Sequence, residues 1–249
     1  MTDLTKQYLD EVVPRLERLA GPNRSIDDAV ALIADALVAG GVVQAFGTGH
    51  SEAFAMEIAG RAGGLIATNR IALRTLVLRG GRDRSLLGGA EFERDPNVGE
   101  NLVSLFDVQP NDVFIIASNS GVNGSILGVA LAAKARGHKV IAVTSMDHTM
   151  KVTPKHPSGK RLSEVADVVI DTLAPYGDTT MTIAGNVGVG AVSSITAAFI
   201  AQVLTIMVAE RLSESGAIPP VYISANIPGG DEHNHALEDR YRGRIRRLA

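Results

Sequence analysis

Two short stretches carry residues whose types and spacing suit chemistry on an anion. Gly47-Thr48-Gly49-His50-Ser51 joins an apolar run to a helical pattern. In such a turn the backbone N–H groups point at the space above the coming helix N-terminus, glycines allow close approach, and Thr48 and Ser51 add hydroxyl donors. Ser118-Asn119-Ser120-Gly121-Val122-Asn123 repeats the arrangement after a second apolar run. Hydroxyls and N–H groups without lysine suit a small dianion in a partly enclosed pocket, because neutral donors avoid the cost of burying a cation. The first turn is not a Walker loop, since no Gly-Lys-Ser/Thr follows, and Glu52 stands where a dinucleotide fingerprint needs its third glycine. Neither turn implies a cofactor. The proton-transfer groups close to them in sequence are His50, Glu91 and Glu93, and late in the chain Asp231, His233 and His235 crowd one segment.

Turns of this kind need parallel strands to carry them, and the sequence supplies the pattern. Four short β-branched runs, Val42 to Phe46, Val113 to Ala117, Val140 to Thr144 and Val168 to Ile170, read as strands, with Thr75 to Leu78 as a fifth. Helical patterns intervene at Ser51 to Ala62, Asn97 to Leu105, Asn123 to Arg136 and Gly185 to Leu212. Right-handed crossovers place these helices on both faces of the sheet, which gives an α/β three-layer α-β-α sandwich on a five-stranded parallel sheet. Two further helices precede it within residues 1–40, the sheet and its helices occupy 41–212, and 213–249 form a polar tail of the same single domain. Ligands of such a sheet bind beyond the carboxyl ends of its strands, where both turns lie.

Composition bounds the classes that remain. Among 249 residues, 45% are apolar and 20% charged, which excludes a disordered chain. No cysteine is present, so disulfides and thiolate metal sites are absent and a reducing, cytoplasmic setting is expected. The N-terminus lacks a basic stretch followed by an apolar one, so no secretory signal is expected. A net charge of −3 argues against nucleic acid as a partner. Val187 to Ala209 is uncharged and nearly long enough to cross a bilayer, but Ser193, Ser194, Thr196, Gln202 and Thr205 interrupt it. A buried or oligomer-facing helix is expected there, with no membrane.

Gly-x-Gly-x-Ser after one strand and Ser-x-Ser-Gly after another resemble the sugar isomerase (SIS) family of phosphosugar isomerases and phosphosugar-binding regulators, over residues 25 to 212. His156-Pro-Ser-Gly-Lys-Arg-Leu and Ala174-Pro-Tyr-Gly-Asp resemble a bacterial branch distantly related to phosphoheptose isomerases. The resemblance implies a small anionic sugar, phosphorylated or sulfonated, gripped by Ser51, Ser118, Ser120 and the turn at Gly121 to Asn123, to which the reading of the two turns adds Gly47, Thr48, Gly49 and Asn119 as substrate-binding residues. It also implies a homodimer or homotetramer with sites near subunit boundaries. Where heptose-phosphate isomerases carry a glutamate ten residues past the loop serine, this chain has Arg61.

Aldose–ketose interconversion through an enediol needs a base that moves a proton between neighbouring carbons and an acid at the carbonyl. Glu91 or Glu93 is the expected base, from a Gly-rich connection, with His50 as helper; Glu57 is read as pairing with Arg61 on the helix surface. His233 or His235 is a further expected catalytic group, by analogy with the late histidine many SIS isomerases use. Asp178 is read as entering the substrate site, with an N-cap of the next helix as its alternative. The loop at 146–164, bearing His148 and His156, reads as a possible lid. A non-catalytic sugar-phosphate sensor and a metal-dependent lyase or hydrolase using Asp231, His233 and His235 stay open; only about 41 residues precede the first strand, which is short for a DNA-binding domain.

Overall fold

In the computed structural model, which describes residues 3–246 apart from 215 and 217, helices and short strands alternate along the chain. They begin with α1 (Leu4–Ala20), α2 (Arg24–Val38), β1 (Val43–Gly47), α3 (Glu52–Ile58), β2 (Thr68–Ile71) and α4 (Thr75–Leu78). Next come α5 (Glu91–Arg94), α6 (Val98–Val103), β3 (Val113–Ala117), α7 (Gly124–Ala135) and β4 (Lys139–Thr144). After these lie α8 (Met146–Thr149), α9 (Leu162–Val165), β5 (Val168–Asp171), β6 (Thr179–Ile183), β7 (Val187–Ala191), α10 (Ser193–Ser213) and α11 (Gly230–Glu238).

The main sheet is parallel, in the order β2-β1-β3-β4-β5. Because side chains alternate across a strand, each central strand feeds two cores. Val113, Ile115 and Ala117 of β3 pack toward α2, α3 and α10, whereas Phe114 and Ile116 pack toward α6 and α7. Every residue of β1 and β3 is buried, so their apolar runs carry no solvent-side alternation. The chain leaves β1 toward β2 on one side and leaves β3 toward β4 on the other. A crevice therefore opens between the carboxyl ends of β1 and β3.

Three expectations are corrected. Thr75 to Leu78 is a helical turn, with Leu78 N–H donating to Arg74 O and Arg79 N–H to Thr75 O, both at 2.9 Å. The fifth strand is Thr68–Ile71. Its polar Asn69 is buried because the C-terminal segment satisfies it: Asn69 Nδ2 donates to Arg244 O at 2.7 Å, and Arg246 N–H donates to Asn69 Oδ1 at 2.8 Å. Between β5 and the last long helix the chain forms the antiparallel hairpin β6–β7, whose turn, at Gly185 and Asn186 with positive φ, and second strand lie where the start of a helix was expected. Among the described residues α10 alone is long and apolar enough to span a membrane, and it packs on α2 and α3. The polar tail contains a helix, α11, whose Asn234 is buried and bonds both backbone groups of Ile223.

The amino ends of the strands are tied by one buried carboxylate. Asp112 accepts from Val42 N–H (2.9 Å), Gln44 Nε2 (2.9 Å), Gln109 N–H (3.1 Å) and Arg244 Nη2 (2.6 Å). Its full complement of donors offsets the cost of burying the charge, and Arg244 fastens the tail to the sheet. Truncation would leave that guanidinium without its buried partner. Asp112→Ala is expected to lower unfolding free energy by about 3–5 kcal/mol in urea titration; a loss below about 1 kcal/mol would show that the carboxylate is not a structural tie.

Candidate functional site

Both anion turns sit at the crevice. After β1 the chain turns so tightly that a Cβ on Gly47 would lie 2.2 Å from Ser51 O, so only glycine fits. Ser51 N–H bonds Thr48 O at 3.1 Å, and Gly49 to Ser51 wind one narrow turn into α3. Thr48 is buried, while His50 is exposed at the mouth. After β3, Gly121 N–H donates to Ser118 Oγ at 3.1 Å, and Asn119 O accepts from Ser145 N–H at 3.2 Å. Asn119 Oδ1 is buried with no donor among the described residues.

A carboxylate joins the two turns. Glu93 Oε1 accepts from Asn123 Nδ2 at 2.6 Å and from Thr48 Oγ1 at 3.3 Å. Its helix α5 can seat this deeply because α7 begins with Gly124, where a Cβ would lie 2.1 Å from Arg94 O. Ser125 Oγ, donating to Glu93 O at 2.9 Å, fixes the seat. Oε2 of Glu93 is paired with no donor among the described residues. Glu91 does not share the position: two residues apart on a helix point to different sides, and Glu91 is exposed with its carboxylate folded over Gly89.

Beside this junction is a small cleft lined by the polar His50, Ser51, Ser118, Asn119, Thr172, Ser193 and Ser194 and by the apolar Phe54, Val143 and Ala197. No lysine or arginine is among the residues lining it. Cations stand one strand away, where Arg74 pairs with Glu52 at 2.7 Å. Arg70 lies below the ordinary arginine range, chiefly through burial and then through the charge of Arg74, with Glu52 opposing.

Other expected residues fall elsewhere. Asp178 is not among the residues lining the cleft and acts as the cap of α10: Oδ1 accepts from Ser193 N–H (2.8 Å) and Val192 N–H (3.2 Å), and Oδ2 from Ser193 Oγ (2.6 Å). His233 and His235 lie on α11 beside Val221, which bridges to Leu65 ahead of β2. That is the amino-end side of the sheet, opposite the crevice. Helical geometry also separates His233 from Asp231 and His235, and no three ligand-type side chains converge as a metal cluster among the described residues. The 146–164 segment is held against the second turn, through Lys155 N–H to Val122 O (3.1 Å) and Leu162 N–H to Gly121 O (2.8 Å), so it is not a free lid. Ser193 and Ser194 were not expected at the cleft because the expected helix began at Gly185, which put them inside it; serines following a Gly-Val repeat were the available signal.

The profile of the family described as SIS domain matches residues 7–145. The chain belongs to the SIS-domain family. This SIS-domain protein is 38% identical over 236 residues to a UPF0309 protein of Listeria monocytogenes, covering 94% of each chain. It is 33% identical over 246 residues to a UPF0309 protein of Caldanaerobacter subterraneus, covering 97% of this chain and 98% of that one. Among solved structures, phosphoheptose isomerase from Francisella tularensis superposes with a TM-score of 0.56 at 17% identity, over 84% of this chain and 98% of that one. The phosphoheptose isomerase of Neisseria gonorrhoeae gives 0.53 at 20%, over 82% and 97%. These likenesses show a shared fold.

The SIS-domain turn at Gly47 is sensitive to one methyl group. Gly47→Ala is expected to cost about 1–3 kcal/mol through overpacking against Ser51, read by thermal denaturation. An unchanged melting temperature would contradict the close approach described above.

Proposed function

We propose that this protein interconverts the aldose and ketose forms of a phosphorylated sugar, with Glu93 as the base. The observation that carries the reading is the Glu93 carboxylate between the two turns, with Oε1 held by Asn123 and Thr48 and Oε2 without a donor among the described residues. One oxygen fixed and one open is what a base positioned at a bound carbon requires. The anion lies between Ser51 and Ser118, where hydroxyls and turn N–H groups supply neutral donors. His50, exposed at the mouth, donates to the carbonyl oxygen as the proton moves. Family membership supports a sugar phosphate as the ligand, and phosphoheptose isomerases share the fold.

The protein works as a homo-oligomer in this reading. In their own subunit His233 and His235 stand on the far side of the sheet, so a part in proton transfer falls to these residues only from a second copy.

Wild-type protein incubated with pentose, hexose and heptose monophosphates is expected to equilibrate at least one aldose–ketose pair, followed by proton NMR. In deuterated water the product acquires deuterium at the carbon beside the carbonyl. Glu93→Gln is expected to lower kcat by about 10²–10⁴ while changing KM little. Binding without turnover across the panel would favour a sensor and sink the isomerase reading.

A further inference from the structure

Hydroxyls look alike in a sequence, but their hydrogen bonds give the cleft a direction. Ser118 Oγ receives the Gly121 N–H at 3.1 Å, so its own proton remains to be given to a ligand. Ser193 is the reverse. Its hydroxyl proton goes to Asp178 Oδ2 at 2.6 Å, a carboxylate that has only lone pairs to offer, so toward the cleft Ser193 Oγ can only accept. The Asp178 carboxylate also takes the first N–H groups of α10, at Val192 and Ser193, so a negative charge already occupies the anion position of that helix. Asp178 holds this place in a left-handed backbone conformation, φ 68°, that a non-glycine residue adopts at a cost. Asn119, which also lines the cleft, leaves its buried Oδ1 without a donor among the described residues.

We infer that Ser193, set by Asp178, is a specificity-determining acceptor for a hydroxyl or N–H of the substrate. The inference rests on the reading of the crevice as a sugar-phosphate site and adds a substrate class to it: monophosphates of neutral sugars. A second anion in place of that hydroxyl or N–H, as in a sugar bisphosphate or a phosphorylated sugar acid, meets the lone pairs of Ser193 and the charge of Asp178 and is rejected. Asp178 is a positioning residue here, acting through the Ser193 hydroxyl.

The test is calorimetric titration of the full chain with inorganic phosphate, with pentose, hexose and heptose monophosphates, and with the matching bisphosphates and phosphorylated acids. Wild type is expected to bind at least one neutral monophosphate more tightly than inorganic phosphate, and the doubly anionic ligands more weakly than the monophosphate. Ser193→Ala is expected to weaken that monophosphate about tenfold and to leave inorganic phosphate within about twofold, as loss of one hydrogen bond to the sugar and none to the anion requires. Asp178→Asn, whose amide can donate to Ser193 and turn its proton into the cleft, is expected to relax the discrimination against the second anion. Destabilisation alone would weaken phosphate and sugar phosphate together. The inference is overturned if Ser193→Ala shifts both equally or neither, or if no monophosphate outbinds phosphate. Absence of phosphate binding to wild type, or its survival in Ser118→Ala, instead overturns the anion grip beneath it.

Discussion

The site depends on a topological constraint: β1 and β3 are hydrogen-bonded neighbours, yet their chains depart in opposite directions. Two strand-to-helix turns must therefore face each other across a crevice, with no connection passing between them. Glu93 spans that gap. One of its oxygens draws a hydroxyl from the first turn and an amide from the second, so the relative position of the turns is fixed by a charge-assisted contact as well as by the sheet. The close approaches at Gly47 and Gly124 serve the same junction, one by tightening the first turn and one by letting α5 descend onto α7.

The two ends of the sheet are held by different polar contacts. At the amino ends a buried carboxylate is saturated with donors: Asp112 ties β1, β3 and the C-terminal segment together. At the carboxyl ends the polar groups are incompletely satisfied. Among the described residues neither Glu93 Oε2 nor Asn119 Oδ1 receives a donor, and Ser118 Oγ accepts from Gly121 N–H without donating. A buried polar group without a partner costs free energy; Asn119 Oδ1 is such a group at the carboxyl ends, and Gln44 Oε1, beside Asp112, is one at the amino ends, among the described residues.

Much of the fold was legible because buried parallel strands leave continuous apolar runs and glycine-rich exits, as at Val42 to Phe46 and Val113 to Ala117. The edge strand was not. Thr68-Asn69-Arg70-Ile71 reads as polar, and Asn69 is tolerated in the interior only because partners 175 and 177 residues away supply its bonds. Thr75 to Leu78 has strand-like composition, but a single helical turn suffices to bury Thr75 and Leu76 against the core. The hairpin before α10 hid within an uncharged stretch that periodicity cannot divide. At the site, the turns were readable from residue types. The choice of Glu93 over Glu91 was not, since it is decided by which side of a four-residue helix faces α7. Asp178 also needed structure, because its alternatives differ only in where its oxygens point.

A crystal structure of the protein soaked with a sugar monophosphate tests the account most directly, because it locates the anion and the reacting carbons together. The account predicts the phosphate between Ser51 and Ser118, with Glu93 Oε2 about 3–3.5 Å from the carbon that loses its proton. A phosphate bound elsewhere on the sheet, or a sugar chain running away from Glu93, would contradict it.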